Sequence, residues 1–221
     1  MSTYRKNHQS GFTLVELAIV LVIIGLLLGG VLKGQEMIEN GKIKNLENDM
    51  QGVTAAYYAY RDRYNALPGD DLRAGTVGAV VGRWATGTSG NGNGTIGLAS
   101  NWISCVAATA DENCLFMQHL RLAGLLTGQL NNADPINAYG GAIRVTHNTA
   151  AGLTGLLVGP NLCFGNLPAK AAEAVDARFD DGNPDRGNVR ASLGGNNVDP
   201  AGGAAPVSYV DPNTYTVCKL L

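Results

Sequence analysis

Charge is almost missing where the apolar residues are densest: in the 21 residues from Phe12 to Leu32, Glu16 is the only formal charge. Catalytic signatures are missing too, with no G-x-S-x-G, no H-E-x-x-H and no glycine-lysine phosphate loop. The chain is therefore read as a non-enzyme, an exported tethered hydrolase being the alternative of a different class. No C-x-x-C joins its four cysteines, and His8, His119 and His147 are scattered, which argues against zinc. A net charge of −2 gives no electrostatic footprint for nucleic acid. A tethered exported binding protein, for adhesion or DNA capture, is the other alternative, and Arg61, Arg63 and Arg83 are the residues it would use on DNA.

What is present is the run LAIVLVIIGLLLGGVL, preceded by Gly11-Phe12-Thr13-Leu14-Val15-Glu16. At 1.5 Å per helical residue, 21 residues span roughly 30 Å, the thickness of a bilayer's hydrocarbon core. A secretory signal peptide fits poorly, because the run is too long and Gly-Val-Leu-Lys-Gly-Gln offers no A-x-A-like site. A plain anchor accounts for the length but not for Glu16, since a carboxylate inside a membrane helix is costly and marks a functional site by default. In the first helical turn it also meets the favourable end of the helix dipole. Arg5 and Lys6 precede the run, so the positive-inside rule places the leader in the cytoplasm and exports everything after Lys33.

The basic leader ending in Gly11, followed by Phe-Thr-Leu-Val-Glu and an apolar helix, resembles the type IV pilin and pseudopilin superfamily. The resemblance implies cleavage by prepilin peptidase between Gly11 and Phe12 and methylation of the new amino group on Phe12. It also implies that Glu16, fifth in the mature chain, pairs with the N-terminal amine of a neighbouring subunit. Partners would be other copies or related pilins, the peptidase, an inner-membrane assembly platform and, before assembly, lipid. The head's Tyr64-Asn-Ala-Leu-Pro-Gly-Asp and Asn137-Ala-Tyr-Gly-Gly-Ala-Ile are similar to blocks of uncharacterised pilin-like proteins. Loss of the leader removes Arg5 and Lys6, leaving 14 basic against 18 acidic residues.

The expected organisation is a leader over 1–11, a transmembrane and filament-core helix over 12–32, its amphipathic continuation over 33–67 and a globular head over 68–221. Ile43, Leu46, Met50, Val53, Tyr57, Tyr60, Tyr64 and Leu67 recur at spacings of three and four, one stripe on a helix broken by Pro68-Gly69. A coiled-coil seam is the plainer reading of that stripe. The fold class expected is α+β: a long N-terminal helix whose second half packs on a small antiparallel sheet, the lollipop arrangement the resemblance implies. Gly25, Gly29, Gly30 and Gly34 serve either close helix packing or local melting of the helix. Many pilins carry a proline in this region, where this chain has Lys33.

In the head, residues 69–101 are rich in Gly, Ser, Thr and Asn and read as a long surface connection. Its Gly92-Asn-Gly94-Thr-Ile-Gly97 matches G-x-G-x-x-G without the strand and helix a nucleotide loop requires. Thr109-x-x-Glu112 predicts a capping box for a helix over Asn113–Leu126, with Leu115, Phe116, Leu120 and Leu122 as core. Ala142–Thr146, Leu153–Val158, Val189–Leu193 and Tyr215–Leu220 are strand candidates, and Pro168 opens a short helix through Phe179.

Four exported cysteines, Cys105, Cys114, Cys163 and Cys218, allow three connectivities. The pairing taken is Cys105–Cys114, a short loop, with Cys163–Cys218, which resembles the C-terminal disulfide loop common in type IV pilins. Asp180, Asp181, Asn183 and Asp185 mimic the start of an EF-hand loop and make calcium the one candidate cofactor. Against it, the glycine is displaced to Gly187 and position twelve would be Ser192, and turns use the same residues.

Overall fold

The computed structural model describes residues 13–76, 82–97, 104–106, 110–149, 156–194, 200 and 206–221. Two compact units divide the chain, Met1–Gly41 and Lys42–Leu221. One helix, α1 (Leu14–Tyr64), runs through both, 51 residues or roughly 76 Å by helical rise. It ends three residues short of the expected Leu67. Asn65 takes the left-handed conformation (φ 49°) that closes helices, so the chain has already left the helix before Pro68.

In the first unit the helix is bare. Leu14 is 87% exposed, and every large apolar side chain from Leu14 to Leu32 is exposed. In the second unit the stripe changes role, with Ile43, Leu46, Met50, Val53, Tyr57 and Tyr60 buried and Tyr64 and Leu67 partly buried. Leu46, Met50, Val53, Tyr57 and Tyr60 join one core with Leu162, Phe164, Tyr215 and Val217 of the sheet and Phe116 and Leu120 of the helix α2 (Glu112–Leu122). The seam of the coiled-coil reading is thus filled by the protein's own head.

The sheet has four antiparallel strands in the order β1 (Ile143–Asn148), β2 (Gly159–Pro168), β4 (Thr214–Leu220), β3 (Val189–Leu193). Between them lie α2 (Glu112–Leu122) and α3 (Ala169–Phe179), the latter entered through Pro168. The strand expected at Leu153–Val158 lies in part outside the described residues, and the observed strand starts after it, at Gly159. β2 holds two Gly, two Pro and two Asn yet is central, because Leu162, Phe164 and Leu167 point into the core. A register irregularity between Phe164 and Leu167 absorbs the turn-formers, with Asn166 at φ 58°. Both rims of the sheet are covered in part. Val189 N–H and Ala191 N–H on β3 donate to Asp180 and to the Pro184 carbonyl, while on β1 Ile143 N–H donates to the Pro135 carbonyl.

α2 also departs from expectation. Thr109 lies outside the described residues, Asp111 sits at the N-cap without a side-chain cap, and the helix stops at Leu122 rather than Leu126. Glu112, assigned above to a capping box, instead accepts from Asn91 N–H (2.8 Å) and Gly97 N–H (3.0 Å). Residues 69–101 are not merely a surface connection either, since Asp70, Asp71, Ala74 and Ile96 are buried. Hydropathy misses this layer because polar groups hold it together.

Candidate functional site

Gly11 and Phe12, the residues of the expected processing site, lie outside the described residues. The described chain begins at Thr13, and there Glu16 has a local partner. Thr13 N–H and Thr13 hydroxyl donate to Glu16 Oε2 at 2.8 and 2.9 Å, and Glu16 N–H returns to Thr13 Oγ1 at 3.3 Å. This is a capping box, Thr at the N-cap and Glu at the third helical position, satisfying two donors that the first turn would otherwise leave open. The Thr-x-x-Glu spacing carries that signal in the sequence, where Glu16 is expected only to meet the helix dipole and to pair with a neighbouring subunit.

From this cap the apolar run continues without burial in its own chain, on a helix long and apolar enough to cross a membrane. A Cβ built on Gly25, Gly29, Gly30 or Gly34 meets nothing within 4 Å, so these positions are open to another helix, and α1 stays helical through all four. The run ends at an exposed ion pair, Lys33 Nζ to Glu36 Oε2 at 2.8 Å.

The geometry now has a counterpart among known sequences. The family described as the prokaryotic N-terminal methylation motif matches residues 6–32. The chain carries a type IV pilin-type signal. That match takes in the Thr13–Glu16 cap and the bare helix together. A fimbrial protein, EcpC of Eikenella corrodens, is 31% identical over 97 residues, 42% of this chain and 61% of the relative's own length. The chain thus spans less than two thirds of that relative. No solved structure matches.

The other candidates sit in the head. Cys105 is bonded to Cys114 and Cys163 to Cys218, and the latter two face each other in register across β2 and β4 with Cα atoms 4.0 Å apart. The acidic loop is arranged differently from an EF-hand. Asp180 Oδ2 accepts from Asn188 N–H and Val189 N–H, Asp181 accepts from Asn183 N–H, and Asp185 lies against Arg186. Carboxylate oxygens of Asp176, Asp180 and Asp181 come within 4.8 Å of one another, so a cation there would use Asp176, in the last turn of α3, in place of the Asp185 carboxylate. Asp176 also accepts the Tyr209 hydroxyl at 2.7 Å and Gly182 N–H at 3.2 Å. Burial, and secondarily the charges of Asp180 and Asp181, raise its carboxyl above the ordinary range.

The glycine loop presents its backbone N–H groups to protein carboxylates rather than to a phosphate. Asn93 and Gly94 donate to the two oxygens of Asp70 at 2.9 and 2.8 Å, and Asn91 and Gly97 are held by Glu112. Gly94 and Gly97 adopt positive φ (86° and 61°), which turns those donors inward. The arginines are engaged as well. Arg61 lies over Tyr57, Arg63 and Arg83 over Tyr64, and Arg83 pairs with Asp71.

Proposed function

We propose that the protein is a structural subunit of a pilus or pilin-like filament. It is stored as a single-pass protein in the bacterial inner membrane with its head exported, and it polymerises after prepilin peptidase cuts between Gly11 and Phe12. The observation that carries this reading is the methylation motif over residues 6–32, running into a helix whose apolar surface is unburied from Leu14 to Leu32. Lipid covers that surface before assembly and other copies' helices cover it afterwards. The transfer gains little hydrophobic energy, so packing at the glycines and pairing of Glu16 with a neighbour's Phe12 amine supply specificity. The fimbrial name of the relative favours an extracellular pilus over the pseudopilus of a secretion system.

Glu16→Ala tests the reading, with membrane insertion retained and filaments lost. Filaments of normal length from that variant, or a mature chain starting elsewhere than at Phe12, overturn it. Imaging surface fibres in a deletion strain alongside a secretion assay separates pilus from pseudopilus. Calcium at Asp176, Asp180 and Asp181 is a secondary proposal, and a thermal midpoint unmoved by millimolar calcium and by chelator removes it.

A further inference from the structure

Each histidine among the described residues of the head uses its Nδ1 to accept a backbone N–H from the glycine-rich layer. His119, fully buried on α2, accepts from Gly69 N–H at 2.9 Å, and its Nε2 donates to the Thr88 carbonyl at 2.7 Å. His147, half-buried on β1, accepts from Ile96 N–H at 3.3 Å. Gly69 and Ile96 mark the two ends of the layer, and Thr88 lies between them.

We propose that His119 and His147 form an acid-released latch that holds the stretches 69–76 and 82–97 on the head. Each bond to Nδ1 needs a neutral ring, because an imidazolium has donors on both nitrogens and cannot accept. Protonation of His119 sets an N–H against the N–H of Gly69, and protonation of His147 does the same to Ile96.

The surroundings keep both rings neutral at ordinary pH. Facing His119 are Tyr60 of α1, whose ring stacks on the imidazole at 6.2 Å, and the cationic Arg83. Facing His147 is Asp70, which favours its charged form. Burial pulls His119 down to about 4 and His147 below the ordinary value. The layer is held as well by the carboxylates of Asp70 and Glu112 at its tip, by the Tyr60 hydroxyl donating to Asp71 and by Thr88 N–H donating to Gln118. Release of the layer follows loss of the two Nδ1 bonds on protonation of the rings. It uncovers the Tyr60 and Tyr64 face of α1, against which Trp84 packs at 6.3 and 5.5 Å.

Trp84 reports the event. In the full chain in detergent, with Trp102→Phe removing the second indole, Trp84 emission should shift to the red and its quenching by acrylamide should rise as pH falls from 6.5 to 4. Far-UV circular dichroism should hold over the same window. His119→Gln with His147→Gln supplies uncharged acceptors that do not titrate, and should abolish the change. The latch is overturned if the change persists in that double variant, which would assign it to the carboxylates, or if helix and sheet melt with it. Should His119→Gln fail to fold, the wild-type imidazole 15N shifts decide. Titration of both rings below the ordinary value, in step with Trp84, supports the latch, and titration at the ordinary value overturns it.

Discussion

The Tyr60 hydroxyl donates to Asp71 Oδ2 at 2.7 Å, joining the buried stripe of α1 to a carboxylate that also takes Arg73 N–H and the Arg83 guanidinium. Burial pushes the Tyr60 phenol upward, so it stays a donor at any ordinary pH. Tyr60→Phe keeps the ring and removes the bond. Hydrogen bonds to charged groups are worth about 1.5–3 kcal/mol, and a loss of that size is expected in chemical denaturation. An unchanged midpoint would mean that Arg83 and Arg73 satisfy Asp71 without Tyr60.

The Thr13–Glu16 capping box separates two roles of one carboxylate. Glu16→Gln keeps an acceptor for Thr13 and loses the charge, so the start of α1 should persist while filaments disappear. Thr13→Ala removes the hydroxyl at a cost of about 1 kcal/mol to the helix start. Amide exchange in the first turn and electron microscopy of the same cells distinguish the two outcomes. Filaments from Glu16→Gln would show that the cap, rather than the charge, is what assembly uses.

The two disulfides should differ in worth. Chain-entropy reasoning ties stabilisation to loop length, and the bridges close sequence separations of 9 and 55 residues. The expected losses are roughly 2.5 kcal/mol for Cys105→Ala/Cys114→Ala and roughly 4 kcal/mol for Cys163→Ala/Cys218→Ala. Denaturant midpoints of the two double variants would test the order, and equal losses would contradict it.

Stability should fall on acidification through His119. Its folded value, about 4, lies below the ordinary 6.5, so the unfolded chain binds the proton first. The contribution is fully present above pH 6.5 and is lost as pH falls towards 4, by about 3 kcal/mol in total. His119→Gln should flatten that part of the stability profile. A wild-type profile already flat across the window would exclude it.

Much of the architecture is legible in the residues because its signals are periodic. The spacing of Ile43, Leu46, Met50, Val53, Tyr57 and Tyr60 states the buried face of α1 directly, and those side chains are buried. Val189–Leu193 reads as a strand for the same reason. β2 was not legible: glycine, proline and asparagine mark it as a turn, and only its place between two partners makes it central. The glycine-rich layer failed for a different reason. Its burial comes from Asp70, Asp71, Glu112, His119 and His147 collecting backbone donors, and no hydropathy pattern encodes such long-range bonds. At the N-terminus the local cap was spelled out by Thr13 and Glu16, but a carboxylate beside an apolar run draws attention to partners elsewhere.

The sheet's covered rims bear on what happens when many copies are brought together. In the fibre proposed above the local concentration of heads would be very high, a condition under which bare strand edges mate with one another. With Val189 and Ala191 on one side and Ile143 on the other already engaged, a neighbour would find those backbone donors taken. In the proposed filament, crowded heads would then meet at surfaces other than those engaged strand positions.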